Sequence, residues 1–486
     1  MIVNRINQWA RLTPDRTALV HDGDALTYAD FARTIEATRR GLEPHDPAPG
    51  RIAVVVAMGL RDAWRLVMAA RAMGLHTVSV LTTAEAEALG LKSAACILTT
   101  QAEASRAPPP QGELAGTPVI ILPDTGAAIR EGPVPQAHSP RRPLGGHILF
   151  SSGTTGVYKK VFVDGPLEDG RNAARADNAG ITRDTVFHGL EYGLWTGIGF
   201  KTPSAVWLRG GTVVLDQRPD KAAHFLDHPV TYAQTTPETL RAILDSRGPA
   251  APPAKGLRLR CGGGFVPLSL AQQAMARLSP DFTVGFSSTE LATALMESRY
   301  REPDDLVWLV PDPRRVIEVA DENGDPCPPG VEGELRAALT PLDHDGYLGD
   351  PDASARFFRD GYFYTGDLAV RREDGRIRVL GRAVDVINIK GRKQPVGPIE
   401  QSLQQSLGVD EVCLFTGLAE DGVEEIVVAV QTRAPEHTAQ SLAKALGGSA
   451  IWERMRVVVL PEFPRTETGL RKTRRPELRR MLFPGP

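Results

Sequence analysis

Apolar residues along this chain come in short runs that alternate between two periodicities. Ile52 to Met58 is a continuous apolar run of strand length, and Arg61 to Met73 carries apolar residues at helical spacing before Gly74 ends the pattern. Two more short apolar runs follow, at Thr77 to Leu81 and Cys96 to Thr99. This order of strand, helix and strand predicts parallel sheets covered by helices.

The pattern changes toward the end of the chain. Val316 to Leu335 holds two alternating segments around an Asn-Gly-Asp turn, which predicts a β-hairpin subdomain. The last ~105 residues are typical of a separate small α+β unit. We therefore expect α/β and α+β architecture, with a large N-terminal domain at 1–381 and a small C-terminal domain at 382–486.

Composition sets limits on partners. A chain of 486 residues is too long for one compact core, and 42% apolar with 24% charged residues is typical of a soluble enzyme. A net charge of −3 gives no reason to expect a nucleic-acid or membrane partner. One basic cluster near the end fits a solvated helix end better than a polyanion site: Arg471, Lys472, Arg474, Arg475, Arg479 and Arg480.

Compartment and metal content follow from other features of the sequence. The cysteines are scattered and show no zinc-ligand spacing: Cys96, Cys261, Cys327 and Cys413. The first residues lack the apolar core of a signal peptide, and no apolar run reaches the ~20 residues of a membrane helix. We expect a cytoplasmic protein with no structural zinc.

The strongest chemical signal lies at His147 to Val161, HILFSSGTTGVYKKV, where a strand-like run leads into small residues and two lysines. Glycines allow close backbone approach, hydroxyl groups donate to phosphate oxygens, and lysine supplies positive charge. The glycine spacing differs from a Walker A loop. The loop residues expected to cradle a polyphosphate, rather than form a flexible surface turn, are Ser151, Ser152, Gly153, Thr154, Thr155, Gly156 and Lys159.

With its neighbours this loop resembles the adenylate-forming superfamily, which includes acyl-CoA synthetases, peptide-synthetase adenylation domains and luciferases. The lysine of the family's Pro-Lys-Gly is kept here as Lys159, whereas Tyr158 and Lys160 replace the proline and the glycine. The other segments that resemble family motifs, in family order, are ALVHDGDALTY at 18–28, LRLRCGGGFVPL at 257–268, VGFSSTE at 284–290, YFYTGDL at 362–368 and LGRAVDVINIKGRKQPVGPIE at 380–400. The resemblance covers essentially the whole chain.

The resemblance implies an ATP site. Thr289 would donate to the α-phosphate, and Glu290 would bind Mg²⁺, with a helix N-cap as its alternative. Asp367 suits a ribose diol or a capped turn, and Arg382 a second nucleotide contact or a surface salt bridge. The residues implied beside the adenine are Gly263, Gly264, Phe265, Phe286, Ser287 and Ser288, with core packing as the alternative for Phe286.

Acid and acceptor sites are less clearly marked. His188 and Trp195 compete for the aromatic position at the acyl pocket, near Gly285, with core packing as the alternative. Lys390 and Gly391 match the part of the family that faces the thiol tunnel.

Two departures affect the implied mobile C-terminal domain. Leu470 occupies the position of the family's late catalytic lysine, so Lys472, or else Arg471, is the candidate substitute. Val384 occupies the position of the hinge residue, with Asp385 next to it.

The resemblance implies activation of a small acid, aryl or short acyl, as acyl-AMP with ATP and Mg²⁺. Transfer to coenzyme A or to the phosphopantetheine of a carrier protein would follow. The alternatives are an amide-forming ligase, and a nucleotide or acyl-adenylate binding protein impaired in adenylation.

Overall fold

The computed structural model describes residues 1–124, 132–135, 144–151, 159–190, 192–218, 220, 229–247, 253–254, 256–389, 392–418, 424–432, 434, 437–446, 455–465 and 473–483. The helices are α1 (Ile2–Leu12), α2 (Tyr28–Leu42), α3 (Leu60–Ala72), α4 (Thr83–Ala88), α5 (Glu168–Asn178), α6 (Gly197–Arg209), α7 (Pro237–Arg247), α8 (Leu268–Arg277), α9 (Pro351–Phe357), α10 (Val396–Leu407), α11 (Ala439–Leu446) and α12 (Arg475–Leu482).

The strands are β1 (Thr17–His21), β2 (Asp24–Thr27), β3 (Ile52–Val56), β4 (His76–Val80), β5 (Cys96–Thr100), β6 (Val119–Leu122), β7 (His147–Ser151), β8 (Lys159–Val163), β9 (Val186–His188), β10 (Thr212–Val214), β11 (Tyr232–Thr235), β12 (Arg258–Gly262), β13 (Asp281–Phe286), β14 (Met296–Arg299), β15 (Val310–Pro311), β16 (Ile317–Ala320), β17 (Glu332–Ala338), β18 (Phe358–Arg359), β19 (Tyr362–Arg371), β20 (Ile377–Arg382), β21 (Val386–Ile389), β22 (Arg392–Pro395), β23 (Glu411–Leu418), β24 (Glu424–Gln431) and β25 (Met455–Leu460).

Two large, mainly parallel sheets form the N-terminal region. One has the order β6-β5-β3-β4-β7-β8, and the other β15-β14-β13-β12-β11-β9-β10-β1-β2. Strand β3 is buried along almost its whole length, as a continuous apolar run in a covered parallel sheet should be. Between the sheets, Trp64 of α3 stacks on Phe200 of α6 at 5.3 Å and meets the edge of Trp207 at 4.7 Å. The predicted parallel architecture is confirmed.

A five-stranded sheet of β16, β17, β18, β19 and β20 follows. Strands β16 and β17 pair antiparallel as predicted, but a longer connection than a tight Asn-Gly-Asp turn joins them. Pro326, Pro328 and Pro329 lie in this connection, and proline cannot donate to a strand ladder.

The C-terminal segment has its own apolar cluster. The β21–β22 hairpin, helix α10 and the β23-β24-β25 sheet supply Ile387, Val396, Leu414, Val428 and neighbouring residues. Where this segment meets β20, a Cβ on Gly397 would lie only 2.2 Å from the carbonyl oxygen of Leu380. Within the described ranges, none of the helices combines the length and apolar character required to cross a bilayer.

Candidate active site

A cleft of about 2530 Å³ brings together residues from the N-terminal sheets and the C-terminal segment. The predicted site residues that line it are Lys159, Trp195, Gly263, Gly264, Phe265, Gly285, Phe286, Ser287, Ser288, Thr289, Glu290, Asp367 and Arg382. They come from widely separated parts of the chain, so the fold itself gathers them into one place.

The predicted phosphate loop is carried by β7 and β8, which pair antiparallel with Ser151 opposite Lys159. The Nζ atom of Lys159 lies 3.4 Å from the ring centre of Phe357 and 5.0 Å from that of Tyr347. Burial lowers the pKa of Lys159, and the Glu290 carboxylate opposes that shift. The aromatic faces and the carboxylate hold the ammonium group at the cleft. Outside the described residues lie Ser152, Gly153, Thr154, Thr155, Gly156 and the side chain of Ser151.

Glu290 is buried and fixed at both carboxylate oxygens. Its Oε1 accepts a hydrogen bond of 2.8 Å from the Tyr347 hydroxyl, and its Oε2 accepts one from Ser288. Burial, and secondarily the Glu290 charge, raise the pKa of Tyr347, which keeps its hydroxyl protonated as a donor. No helix begins within the described range 287–295, which is irregular with turns and bends, so the alternative role of Glu290 in helix capping does not apply.

Lys201 stabilises the backbone of the same motif, a role that the sequence analysis did not predict. It is 6% exposed, and its Nζ donates to the carbonyl oxygens of Thr289 at 2.6 Å and Leu291 at 3.3 Å. Burial first, and Arg175 second, lower its pKa well below the usual value. The available signal was a charged residue in the otherwise uncharged stretch 197–208 of α6, since a buried lysine needs polar partners.

The glycine turn after β12 leaves its backbone open to the cleft. Gly262 pairs with Gly285 of β13, and a Cβ on Gly262 would lie 2.6 Å from the Gly285 carbonyl oxygen. Gly263 has φ +82°, a conformation that favours glycine. Phe265 and Phe286 also line the cleft here, so aromatic rings and exposed glycine backbone lie side by side.

Asp367 and Arg382 face each other across β19 and β20. Their Oδ1 and Nε atoms are 3.4 Å apart, and Arg382 Nη1 also donates to the Thr365 carbonyl at 2.8 Å. The Thr365 hydroxyl accepts a bond from the Asp367 amide at 3.1 Å. Asp367 therefore lies in a strand rather than capping a turn, and the salt bridge of Arg382 is formed with Asp367 itself.

The two candidates for the acyl-side aromatic are separated by the structure. Trp195 lines the cleft. His188 is fully buried in β9, where its Nδ1 accepts a 2.8 Å bond from the Leu190 amide, and it is not a lining residue. Gly285 lies under Arg260, because a Cβ on Gly285 would be 2.3 Å from Nη2 of that arginine.

The predicted hinge borders the cleft on its C-terminal side. Val384 is 59% exposed, and the carboxylate of Asp385 lies 3.6 Å from Nε of Arg475. The predicted acceptor-side and late-lysine positions lie outside the described residues: Lys390, Gly391, Leu470, Arg471 and Lys472.

Known proteins resemble this chain along most of its length. Feruloyl-CoA synthase from Amycolatopsis sp is 26% identical over 448 residues, covering 87% of this chain and 86% of that protein. ATP-bound MatB from Rhodopseudomonas palustris shares 19% identity with a TM-score of 0.79 over 98% of both chains. Amide bond synthetase McbA from Marinactinospora thermotolerans shares 20% identity with a TM-score of 0.77 over 99% of both chains. The structural likenesses establish the fold.

The sequence profile of the AMP-binding enzymes matches residues 6–339, well over half of the chain. The predicted superfamily, the fold class and the enzyme class, an AMP-forming ligase, are confirmed. By this match, and by the motifs that its cleft brings together, the chain belongs to the family of AMP-binding enzymes.

Proposed function

We propose that this protein uses ATP and Mg²⁺ to convert a small carboxylic acid into its acyl-adenylate, and then transfers the acyl group to a thiol. The observation that carries the proposal is the convergence of Lys159, Thr289, Glu290, Asp367 and Arg382 in one cleft. A cation for phosphates, a hydroxyl donor, a hard oxygen ligand and a ribose-binding pair are the groups that adenylation requires.

In the first step a carboxylate oxygen of the acid attacks the α-phosphorus of ATP. The new oxygen–phosphorus bond forms as the bond to pyrophosphate breaks. Lys159 neutralises charge on the phosphate oxygens, and the Thr289 hydroxyl donates to the α-phosphate. Both groups are preorganised, because aromatic rings surround the ammonium of Lys159 and Lys201 fixes the Thr289 backbone.

Glu290 fits the role of a magnesium ligand. Each carboxylate oxygen keeps acceptor capacity beyond the one bond it receives from Tyr347 or Ser288. In the part of the chain that the structure describes, no cluster of three or more potential metal-binding side chains occurs. Phosphate oxygens and water would complete the ligand shell, as is usual for this ion. Bound Mg²⁺ would supply charge neutralisation during phosphoryl transfer.

The nucleoside would lie across the ends of the strands. Asp367 and Arg382 would bind the ribose hydroxyls, since a carboxylate accepts two hydroxyl bonds at once. The turn at 263–265 and Phe286 would border the adenine. The turn at 263–265 directly follows β12, and Gly262 at the end of that strand pairs with Gly285 of β13.

The second step transfers the acyl group to the thiol of coenzyme A or of a carrier protein's phosphopantetheine. We propose that residues 382–486 move as one domain against 1–381, turning at Val384 and Asp385. Lys390 and Gly391 would then face the thiol, and Lys472 would replace the lysine absent at Leu470. An amide-forming transfer to an amine is the second candidate. The altered late lysine and hinge residue fit a reaction that depends less on rotation of the C-terminal domain.

A pyrophosphate-release assay tests this proposal. The protein is incubated with ATP, Mg²⁺ and a panel of aryl and short acyl acids, with coenzyme A, a phosphopantetheinyl carrier protein, an amine or no acceptor. Release that depends on the acid and rises with either thiol supports the proposal. Release that rises only with the amine identifies an amide ligase. Binding of ATP without release from any acid identifies a binding protein and refutes the proposal.

A further inference from the structure

Two neighbouring arginine side chains line the cleft, one of them against Gly285, the residue predicted at the acyl pocket. Arg175 comes from α5 and Arg260 from β12, and both line the cleft. Arg260 lies three residues before Gly263, about 10 Å along the strand at ~3.3 Å per residue. Its guanidinium reaches Gly285 of β13, whose partner Gly262 directly precedes the nucleotide-binding turn.

Arg175 has no carboxylate partner among the residues that the structure describes. Burial and the nearby Arg260 lower its pKa to about 10. The guanidinium is still protonated at neutral pH, and no carboxylate of the described residues compensates the positive charge that it brings to the cleft. Removing an unpaired cation from water is unfavourable unless an anion joins it.

Arg260 is only partly compensated. Its Nε lies 3.2 Å from Oε2 of Glu297, whose side chain is 43% exposed and shared with solvent. The same Nε and the Nη2 atom are buried without a well-formed hydrogen bond within the described part of the chain. The group is held in place over Gly285, where any larger residue would collide with it.

Of the two neighbouring guanidinium groups, only Arg260 has a carboxylate partner among the described residues, and that carboxylate is partly exposed. Their mutual repulsion disfavours the pocket unless a second negative charge enters it. The reacting carboxylate does not fill that role, since it must lie beside Lys159 and Thr289 at the phosphate end. Guanidinium groups bind carboxylates through paired hydrogen bonds, which makes a carboxylate the matching ligand.

We propose that the acid activated by this protein carries a second carboxylate, which Arg175 and Arg260 bind while the first carboxylate reacts. This inference rests on the proposed adenylation and narrows its substrate to dicarboxylic acids. Among the aryl and short acyl acids predicted from the sequence, it favours those with a second carboxylate at the end remote from the reacting group over those with an apolar end.

The first test compares matched acids by pyrophosphate release. Succinic acid is paired with butyric acid and with monomethyl succinate, and terephthalic acid with benzoic acid. We expect kcat/KM for at least one diacid to exceed that of its neutral-ended partners by about 100-fold, because a site built to bind a polar group rejects analogues without it. Monoacids and half-esters used as well as the diacids would overturn the inference and leave the proposed adenylation standing.

The second test uses variants. Arg175→Met is expected to lower kcat/KM for the preferred diacid about 100-fold and to change that of the neutral-ended acid less than about threefold. Arg299→Met is the control, because it removes an exposed arginine of the neighbouring strand β14 that pairs with Asp281. Melting temperatures check folding, and Arg260→Met replaces Arg175→Met if the latter is unfolded. Equal losses for both acids in the folded variant would refute the assignment. Absence of release from every acid would refute the adenylation proposal together with this one.

Discussion

The Tyr347 hydroxyl provides a defined perturbation of the proposed magnesium ligand. Tyr347→Phe removes one oxygen atom and with it the 2.8 Å hydrogen bond to Oε1 of Glu290. The ring stays in place, packed against Phe357 and Phe358 at 6.1 and 5.3 Å. The substitution therefore changes the orientation of Glu290 without opening a cavity.

The expected magnitude follows from the kind of bond lost. A hydrogen bond to a charged group contributes about 1.5–3 kcal/mol, and loss of a group that orients a metal ligand typically reduces activity about 10–100-fold. We expect kcat for acid-dependent pyrophosphate release to fall in that range, and the apparent KM for Mg²⁺ to rise. Tyr347 is a positioning residue in this account, so KM for the acid should change little.

Tyr28→Phe is the matched control. Tyr28 is fully buried, and its hydroxyl donates a 2.6 Å bond to the Gly211 carbonyl in the core. Both variants lose one buried hydrogen bond, so both should lower the melting temperature. Only Tyr347→Phe should lower kcat at saturating acid and alter the Mg²⁺ dependence. Equal kcat for wild type and Tyr347→Phe across Mg²⁺ concentrations would refute the proposed positioning of Glu290.

Three further predictions concern the other parts of the cleft. The pKa of Lys201 is lower in the folded than in the unfolded protein, so the folded state binds fewer protons, and the free energy of unfolding should rise with pH between the two pKa values. Lys201→Met should weaken this rise in melting curves recorded at pH 6–9. An unchanged slope would contradict the burial of a lysine with a lowered pKa. Asp367→Asn should raise KM for ATP about tenfold, because a charge-assisted hydrogen bond to the ribose is lost, and should barely alter KM for the acid. Steady-state kinetics with each substrate varied would show the reversed pattern if Asp367 bound the acid. Lys472→Ala should lower acid-dependent pyrophosphate exchange at least about tenfold, and Arg471→Ala should lower it much less. Unchanged exchange in Lys472→Ala would show that Lys472 does not substitute for the lysine missing at Leu470.

Local sequence predicted the elements that depend on local patterns. The apolar run at Ile52 to Met58 and the helical spacing at Arg61 to Met73 correspond to β3 and α3, with boundaries shifted by one or two residues. Covered parallel strands leave such runs in the sequence because both of their faces are buried. The Asp-Gly sequence at 22–23 likewise marks the turn of the β1–β2 hairpin, where both residues have positive φ.

Contacts between distant residues were not accessible in this way. Tyr347 reaches Glu290 across 57 positions, and Lys201 reaches Thr289 across 88. Neither partner carries a local pattern that points to the other. The Ser-x-Glu pattern of the 287–290 segment was equally typical of a helix cap, and these tertiary contacts hold it in an irregular conformation instead.

Direct detection of the acyl-adenylate tests the central claim. Wild-type protein is mixed with ATP, Mg²⁺ and the preferred acid in the absence of any acceptor, and the products are identified by mass spectrometry. We expect acyl-AMP and pyrophosphate in equal amounts, and we expect both to be lost in Lys159→Ala. Acid-dependent formation of ADP and phosphate, or the absence of any AMP ester, would contradict the proposed adenylation.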